Sequence, residues 1–208
     1  MESNFPILNK TITLSLFIFA AFSIFSISIT QIAAGLGGLA WLLRTYMTNS
    51  WKEQRWPLGV PFLLFAFFCL VAVANAYDAS YSYKSLKKLL EILIFFWVLN
   101  CVRENDLRDS ISVVLIASAT LATLLGFYQL WIDGFDEFGF ANRIEGTLSV
   151  YMTFAGILMM VGILASARVM FYRPLQKWVL VSVGVIIICL IFTLTRQAWF
   201  GFLAGSIF

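Results

Sequence analysis

Histidine is absent from this sequence, and charged residues are scarce. Of the 208 residues, 61% are hydrophobic and only 12% are charged, whereas a soluble domain carries roughly 25% charged residues. The lack of histidine excludes an imidazole-based metal site and a Ser-His or Cys-His catalytic pair within these residues. Because so few charges are present to cover a water-facing surface, we expect lipid to solvate most of the outside of the protein.

Cysteine is also rare, and its three positions, Cys69, Cys101 and Cys189, stand singly along the chain. We interpret them as packing residues rather than as disulfide or metal partners. The net charge of +3 comes with no basic stripe, so nucleic acid is not an expected partner. The sequence predicts neither a metal site nor a cofactor.

Long uncharged segments are abundant. A helix of about 20 apolar residues crosses the hydrocarbon core of a bilayer, and we predict such helices at 57–76, 86–101, 111–131, 147–167 and 178–194. The first apolar run, 12–43, is too long for one ordinary span, and its middle is rich in Ser, Thr, Gln and Gly. It is either one long tilted helix or a hairpin of two short ones.

Charge counting favours the hairpin. With a hairpin and a cytoplasmic N-terminus, nine Lys and Arg residues fall on the inside and five on the outside, as the positive-inside rule requires. With one long first helix the distribution reverses for every later loop. The sequence therefore predicts an all-α, polytopic transmembrane helix bundle with about seven complete spans plus the start of an eighth.

The last apolar stretch begins after Arg196 and ends at Phe208 after half a crossing. A half-span leaves its last carbonyl groups without partners in hydrocarbon, so we expect residues 1–208 to form a single transmembrane domain at the N-terminal end of a longer membrane protein, about twice this length.

Cations gather at the predicted outer face. Arg143 precedes the sixth span, Arg196 lies between the seventh and eighth, and Lys87 and Lys88 open the fourth. Guanidinium groups offer paired donors that match phosphate oxygens, and Lys adds point charge, so this cluster is suited to a phosphate or pyrophosphate group. The helix that starts after Arg196 adds N–H groups and a dipole that favour an anion.

Two other interpretations apply to these side chains. An Arg near a helix end can extend to the phosphates of membrane lipids, although Arg143 and Arg196 both run against the positive-inside bias. Lys87 and Glu91 are four residues apart and can pair along one helix face.

The two arginine segments resemble a known family. NRIEGTLSVYMTFAGILMM at 142–160 resembles the R-x-x-G-T signature of the O-antigen ligase and polymerase superfamily. TLTRQAWFGFLAGSIF at 193–208 resembles its S/T-R-x-x-W-x-G-x-x-x-G segment. The order of spans is similar as well, with an early short hairpin, Arg143 opening the sixth span and Arg196 closing the seventh.

This resemblance implies a membrane glycosyltransferase of the bacterial inner membrane. Such enzymes transfer glycan from an undecaprenyl-pyrophosphate carrier to lipid A–core or to a growing glycan, at the periplasmic face and without a metal. Arg143 and Arg196 would then bind the donor pyrophosphate and stabilise it as the leaving group, with Lys87 and Lys88 as further candidates in the same cluster. The family's histidine, which is expected to activate the acceptor, follows the part present here. We therefore expect no catalytic residue within these residues and no activity from them alone.

Two alternatives remain. Relatives of this superfamily have been labelled as putative inorganic-carbon transporters, but a transport pathway usually places paired ionisable groups near the bilayer midplane. Glu91 is the nearest candidate, and it lies in an outer turn. A non-catalytic membrane fragment is the other alternative. The sequence does not determine the glycan, the acceptor or the oligomeric state.

Overall fold

In the computed structural model, the regular elements are helices. The structure describes residues 5–77, 82–133, 143–148, 150–172 and 176–207, apart from the side chains of Lys84, Ser85, Lys87 and Asp133. The α-helices of this part of the chain are α1 (Pro6–Phe22), α2 (Ile27–Met47), α3 (Gly59–Ala74), α4 (Leu90–Cys101), α5 (Asn105–Asp133), α6 (Tyr151–Phe171), α7 (Lys177–Phe192) and α8 (Arg196–Ile207). Short 3₁₀ helices cover Trp51–Glu53 and Lys84–Leu89. For the described residues, the all-α prediction is confirmed.

Three helices are long and apolar enough to cross a membrane: α2 and α6 with 21 residues each, and α5 with 29. Helices α1, α3, α4 and α7 are apolar but shorter. The lengths and compositions of the three long helices indicate association with a membrane.

The first apolar run forms two helices rather than one. The helices separate at residues 23–26, where the Ser23 hydroxyl donates to the carbonyl of Ala20 at 3.1 Å and the Ser26 hydroxyl accepts from the N–H of Ile29 at 3.4 Å. Such local side-chain bonds compete with a continuous helix. Within the base of the hairpin the two helices run antiparallel, because Gly37 lies against Ser15 while Arg44, further along α2, donates to the earlier Asn9 at 3.1 Å.

The chain divides into two compact units. The first unit contains the described residues of Met1–Leu16 and Ala33–Leu107, and the second contains those of Phe17–Ile32 and Arg108–Phe208. In the first unit, Trp41 and Trp97 are fully buried. In the second unit, α5, α6 and α7 share an apolar core in which large side chains alternate with alanines: Ile116, Ala119, Ala122, Phe154, Ala155, Leu158, Ala165, Ile186 and Cys189. Small residues of this kind let membrane helices approach closely.

Several of the predicted span boundaries shift. The segment predicted as 111–131 lies within a longer helix, Asn105–Asp133. The segment predicted as 147–167 becomes a helix only at Tyr151, because residues 146–148 form a turn. The segment predicted as 86–101 starts as the 3₁₀ helix Lys84–Leu89 and becomes α-helical at Leu90.

Candidate functional site

The turn after Arg143 depends on a glycine. Gly146 has a φ of +64°, a left-handed conformation that only glycine adopts without strain. A Cβ atom at this position would lie 2.6 Å from the ring of Phe154, which is fully buried in the first turn of α6. The side chain of Gln129, near the end of α5, donates to the carbonyl of Gly146 at 2.9 Å. This turn is therefore held against both α5 and α6.

Thr147 fixes the same turn to a third element. Its hydroxyl donates to the carbonyl of Ile24, which lies in the turn between α1 and α2 and is itself fully buried. Ile144 is also buried, and it lies against Gly126 of α5. The backbone that carries Arg143 is thus anchored on the residues that follow it, in the second unit.

The Arg143 side chain is half-buried and is oriented by an aromatic ring. Its guanidinium carbon lies 4.4 Å from the centroid of the Tyr151 ring, at the start of α6. A cation over an aromatic face at this distance is attracted by the ring quadrupole, typically by about 0.5–2 kcal/mol. The neighbouring Glu145 is exposed. Tyr151 therefore restrains the direction of the guanidinium while leaving part of it accessible.

Arg196 is the first residue of α8, and its side chain is exposed. The turn before it includes Leu194 at a φ of +51°, followed by Thr195, whose carbonyl accepts from Ala198 at 3.0 Å. The indole N–H of Trp199 donates at 2.9 Å to a carbonyl in the last turn of α7. This tryptophan therefore fixes the start of α8 to the end of α7.

Helix α8 runs parallel to α6. Gly201 packs against Met159, and Gly205 packs against Ile163. Since both residues of each pair advance by four along the chain, the two helices point the same way and the start of α8 lies level with the start of α6. Arg143, which contacts Tyr151, and Arg196 therefore lie at the same end of the second unit.

The opposite end of the second unit carries a different cation. Arg168, in the last turn of α6, is only 7% exposed and forms a paired contact with Asp109, with Nη1 to Oδ1 at 2.5 Å and Nη2 to Oδ2 at 3.1 Å. Asp109 lies in the first turns of α5, ahead of the uncharged segment that starts at Ile111. This pair fastens α5 to α6 at the end away from Arg143.

Lys87 and Lys88 belong to the first unit. Both lie in the 3₁₀ helix Lys84–Leu89, where Lys88 is exposed and lines a groove beside α3. The predicted contact between Lys87 and Glu91 falls on a side chain outside the described residues. The structure thus brings Arg143 and Arg196 to one end of one unit and assigns the two lysines to the other unit.

Sequence reasoning singled out the arginines but missed their supports. The sequence placed Gly146, Thr147 and Trp199 in the two motif-like segments but did not indicate which contacts they make. Gln129 had a weaker signal, as an amide near the end of an otherwise apolar span. Among the residues that the structure describes, no group of three His, Cys, Asp or Glu side chains could hold a metal ion.

The comparisons with known proteins add no relative. No protein-family model, curated protein or solved structure matches this chain. The features of this chain that bear on its function are therefore the two arginine segments and their arrangement in the second unit.

Proposed function

We propose that this chain is the N-terminal part of a membrane glycan ligase or polymerase of the O-antigen ligase type. It would transfer glycan from an undecaprenyl-pyrophosphate carrier to lipid A–core or to a growing glycan, at the periplasmic face of a bacterial inner membrane. The observation that supports this most strongly is that Arg143 and Arg196, one from each motif-like segment, lie at the same end of the second unit.

Three other motif residues support the same assignment because they position the segments that carry the arginines. Gly146 and Thr147 form the anchored turn after Arg143. Trp199 fixes the start of α8, which Arg196 begins. Uncharged motif residues that hold the segments around two cations in place favour a binding site over lipid-facing residues scattered along helix ends.

In this proposal the two guanidinium groups bind the donor pyrophosphate. Negative charge grows on the leaving pyrophosphate as the glycosidic bond breaks, and donors already held in position stabilise that charge without reorganising. Tyr151 restrains Arg143, and the start of α8 adds the favourable end of a helix dipole beside Arg196. The group that activates the acceptor hydroxyl would come from outside these residues.

The membrane arrangement that fits the proposal has the eight α-helices of the described residues in the bilayer, with the N-terminus in the cytoplasm. Helix α4 with its 12 residues spans about 18 Å, and the 3₁₀ helix Lys84–Leu89 before it, which carries three lysines, lies at the outer interface. Helices α1, α3 and α7 are somewhat short at about 24–26 Å, which a locally thinner bilayer accommodates. Arg168 and Lys177 then face the cytoplasm, as the positive-inside rule favours.

No observation favours the transporter alternative. In the described helices, every charged residue lies within five residues of a helix end. A proton or ion relay needs ionisable groups nearer the midplane.

The test is glycan transfer in cells that carry the gene as their only copy. We expect Arg143→Ala and Arg196→Ala each to lower transfer by about 10²- to 10³-fold, the usual effect of removing one donor to a developing negative charge, while the lipid-linked donor accumulates. Arg143→Lys and Arg196→Lys should retain part of the activity. Lys177→Ala, which removes an exposed cation from the other end of the second unit, should behave like the unaltered protein.

Protein levels in the membrane provide the folding control. Full transfer by both alanine variants at normal levels would show that the arginines only contact lipid phosphates, and the proposal would be wrong. If the unaltered gene supports no transfer from any carrier-linked glycan, the non-catalytic alternative replaces it.

A further inference from the structure

The first unit contains an apolar groove that the proposed glycan transfer does not use. It has a volume of about 750 Å³. One wall is the face of α3 from Phe62 to Val73, and the other is formed by residues 86–95 of the 3₁₀ helix and α4. A hydrocarbon chain therefore fits its chemistry, whereas a polar metabolite would lose its hydrogen bonds there.

The two ends of the groove differ. At one end its walls meet, since the rings of Phe62 and Phe95 lie 5.6 Å apart. At the other end Lys88 and Glu91 contribute to the lining. The stretch of α3 from Phe62 to Val73 rises about 16 Å. The groove is therefore elongated, closed by aromatic rings and charged at its mouth.

The α3 wall has few partners of its own. None of the 16 residues of α3 is buried, although all are apolar or glycine or proline, and Phe65 in the groove wall is 57% exposed. A gap beside such a helix forfeits dispersion contacts unless a hydrocarbon group fills it. In a bilayer the available hydrocarbon group is a lipid chain.

The described charges at the mouth favour one class of lipid. Among the side chains that the structure describes there, Lys88 and Glu91 are one cation and one anion, and neither forms an ion pair with a described residue. A phosphoethanolamine headgroup carries the complementary pair, a phosphate and an ammonium. A headgroup with only negative charge would set its phosphate beside the Glu91 carboxylate, which is unfavourable.

We propose that this groove binds one acyl chain of phosphatidylethanolamine, with the lipid phosphate at Lys88 and the lipid ammonium at Glu91. The site lies wholly within the first unit and is independent of Arg143 and Arg196. It would therefore exist whether or not the protein transfers glycan.

Native mass spectrometry of the delipidated full-length protein tests this directly. With equal amounts of phosphatidylethanolamine and phosphatidylglycerol, we expect preferential retention of phosphatidylethanolamine by about fivefold, the effect of one partly exposed ion pair. Glu91→Gln should remove the preference, and Lys88→Met should weaken binding of both lipids. Glu104→Gln, an exposed acid away from the groove, should change neither.

Filling the groove with a larger side chain tests whether the lipid binds there. Ala72→Phe fills the groove and should abolish lipid retention, whereas Leu63→Phe, on an exposed part of α3 outside the lining, should leave retention unchanged.

Cys69, in the groove lining, offers a measurement that leaves the groove residues unaltered. With Cys101 and Cys189 replaced by Ala, bound phosphatidylethanolamine should slow the modification of Cys69 by a small thiol reagent several-fold. The proposal would be overturned by any of four results: equal retention of the two lipids, an unchanged preference in Glu91→Gln, displacement of the lipid by undecaprenyl phosphate, or a Cys69 that the lipid does not protect.

Discussion

At the scale of single residues, three glycines in α2 have different surroundings despite their similar sequence context. Gly37 lies against the ring of Trp97, and a Cβ there would also come within 2.8 Å of the Cβ of Ser15. A Cβ at Gly35 or Gly38 would meet nothing within 4 Å. Sequence reasoning assigned such glycines to a crowded hairpin, but it had no means of telling which one is crowded, because the contact is made by a residue sixty positions away.

Replacing Gly37 by Ala should destabilise the protein, since the ring of Trp97 is fully buried and has little freedom to move. We expect Gly37→Ala to lower the free energy of unfolding by about 1–3 kcal/mol, the usual cost of overpacking. Gly38→Ala should be neutral or raise it by up to about 1 kcal/mol through helix propensity. Unfolding in mixed micelles, followed by circular dichroism, measures both. Equal effects at the two positions would contradict the assigned close contact.

For Arg143 and Arg196 as well, the sequence predicted the positions of the residues but not their contacts. Their positions ahead of the sixth and eighth predicted spans, on the predicted outer face, followed from hydrophobic runs and charge counting. The role of Tyr151 did not, because a tyrosine eight residues after an arginine contacts it only if a turn brings the chain back. Gly146 makes that turn through its positive φ.

At the scale of the helices, the contact between α5 and α6 is asymmetric. The Arg168 side chain is 7% exposed and the Asp109 side chain is 37% exposed. Arg168 also donates to the Ser112 hydroxyl at 2.9 Å and to the side-chain oxygen of Gln176 at 3.3 Å. Removing the carboxylate leaves a nearly buried cation, whereas removing the cation leaves a carboxylate that water still reaches.

Substitution of Asp109 should therefore lower the free energy of unfolding more than substitution of Arg168. We expect Asp109→Leu to lower the free energy of unfolding by about 3 kcal/mol, because it leaves a buried charge without its counter-ion. Arg168→Met should cost only about 1 kcal/mol, because the remaining carboxylate is hydrated. Lys177→Met, at an exposed cation, should change stability by less than about 0.5 kcal/mol. A larger loss for Arg168→Met than for Asp109→Leu would contradict this account, and the double variant measures the coupling between the two side chains.

At the scale of the whole molecule, the charge distribution predicts an orientation in the membrane. Within the second unit, Glu145 lies beside Arg143 and is exposed, while Ser110 is exposed next to Asp109 at the opposite end. The positive-inside rule assigns the Asp109 end to the cytoplasm. A site for a periplasmic glycan carrier requires the Arg143 end to face outward.

Single cysteines at these two positions test the orientation. In a protein with Cys69, Cys101 and Cys189 replaced by Ala, we expect Glu145→Cys to react with a membrane-impermeant maleimide in intact spheroplasts. Ser110→Cys should react only after the membrane is permeabilised. The reverse pattern would invert the topology and remove the basis for a periplasmic site, and labelling of both in intact cells would show that the preparation leaks.

The sequence by itself determined that the protein is helical and associated with a membrane, and it determined the approximate positions of the helices. The reason is that the length and composition of apolar runs depend only on neighbouring residues. It also determined the break in the first run and the two arginine segments. The tertiary structure alone decided that α8 runs parallel to α6, that Arg143 and Arg196 lie at one end of the second unit, and that Lys88 lines a separate groove beside α3. These features arise from contacts between residues far apart in the chain, and neither periodicity nor charge counting specifies which distant residues meet.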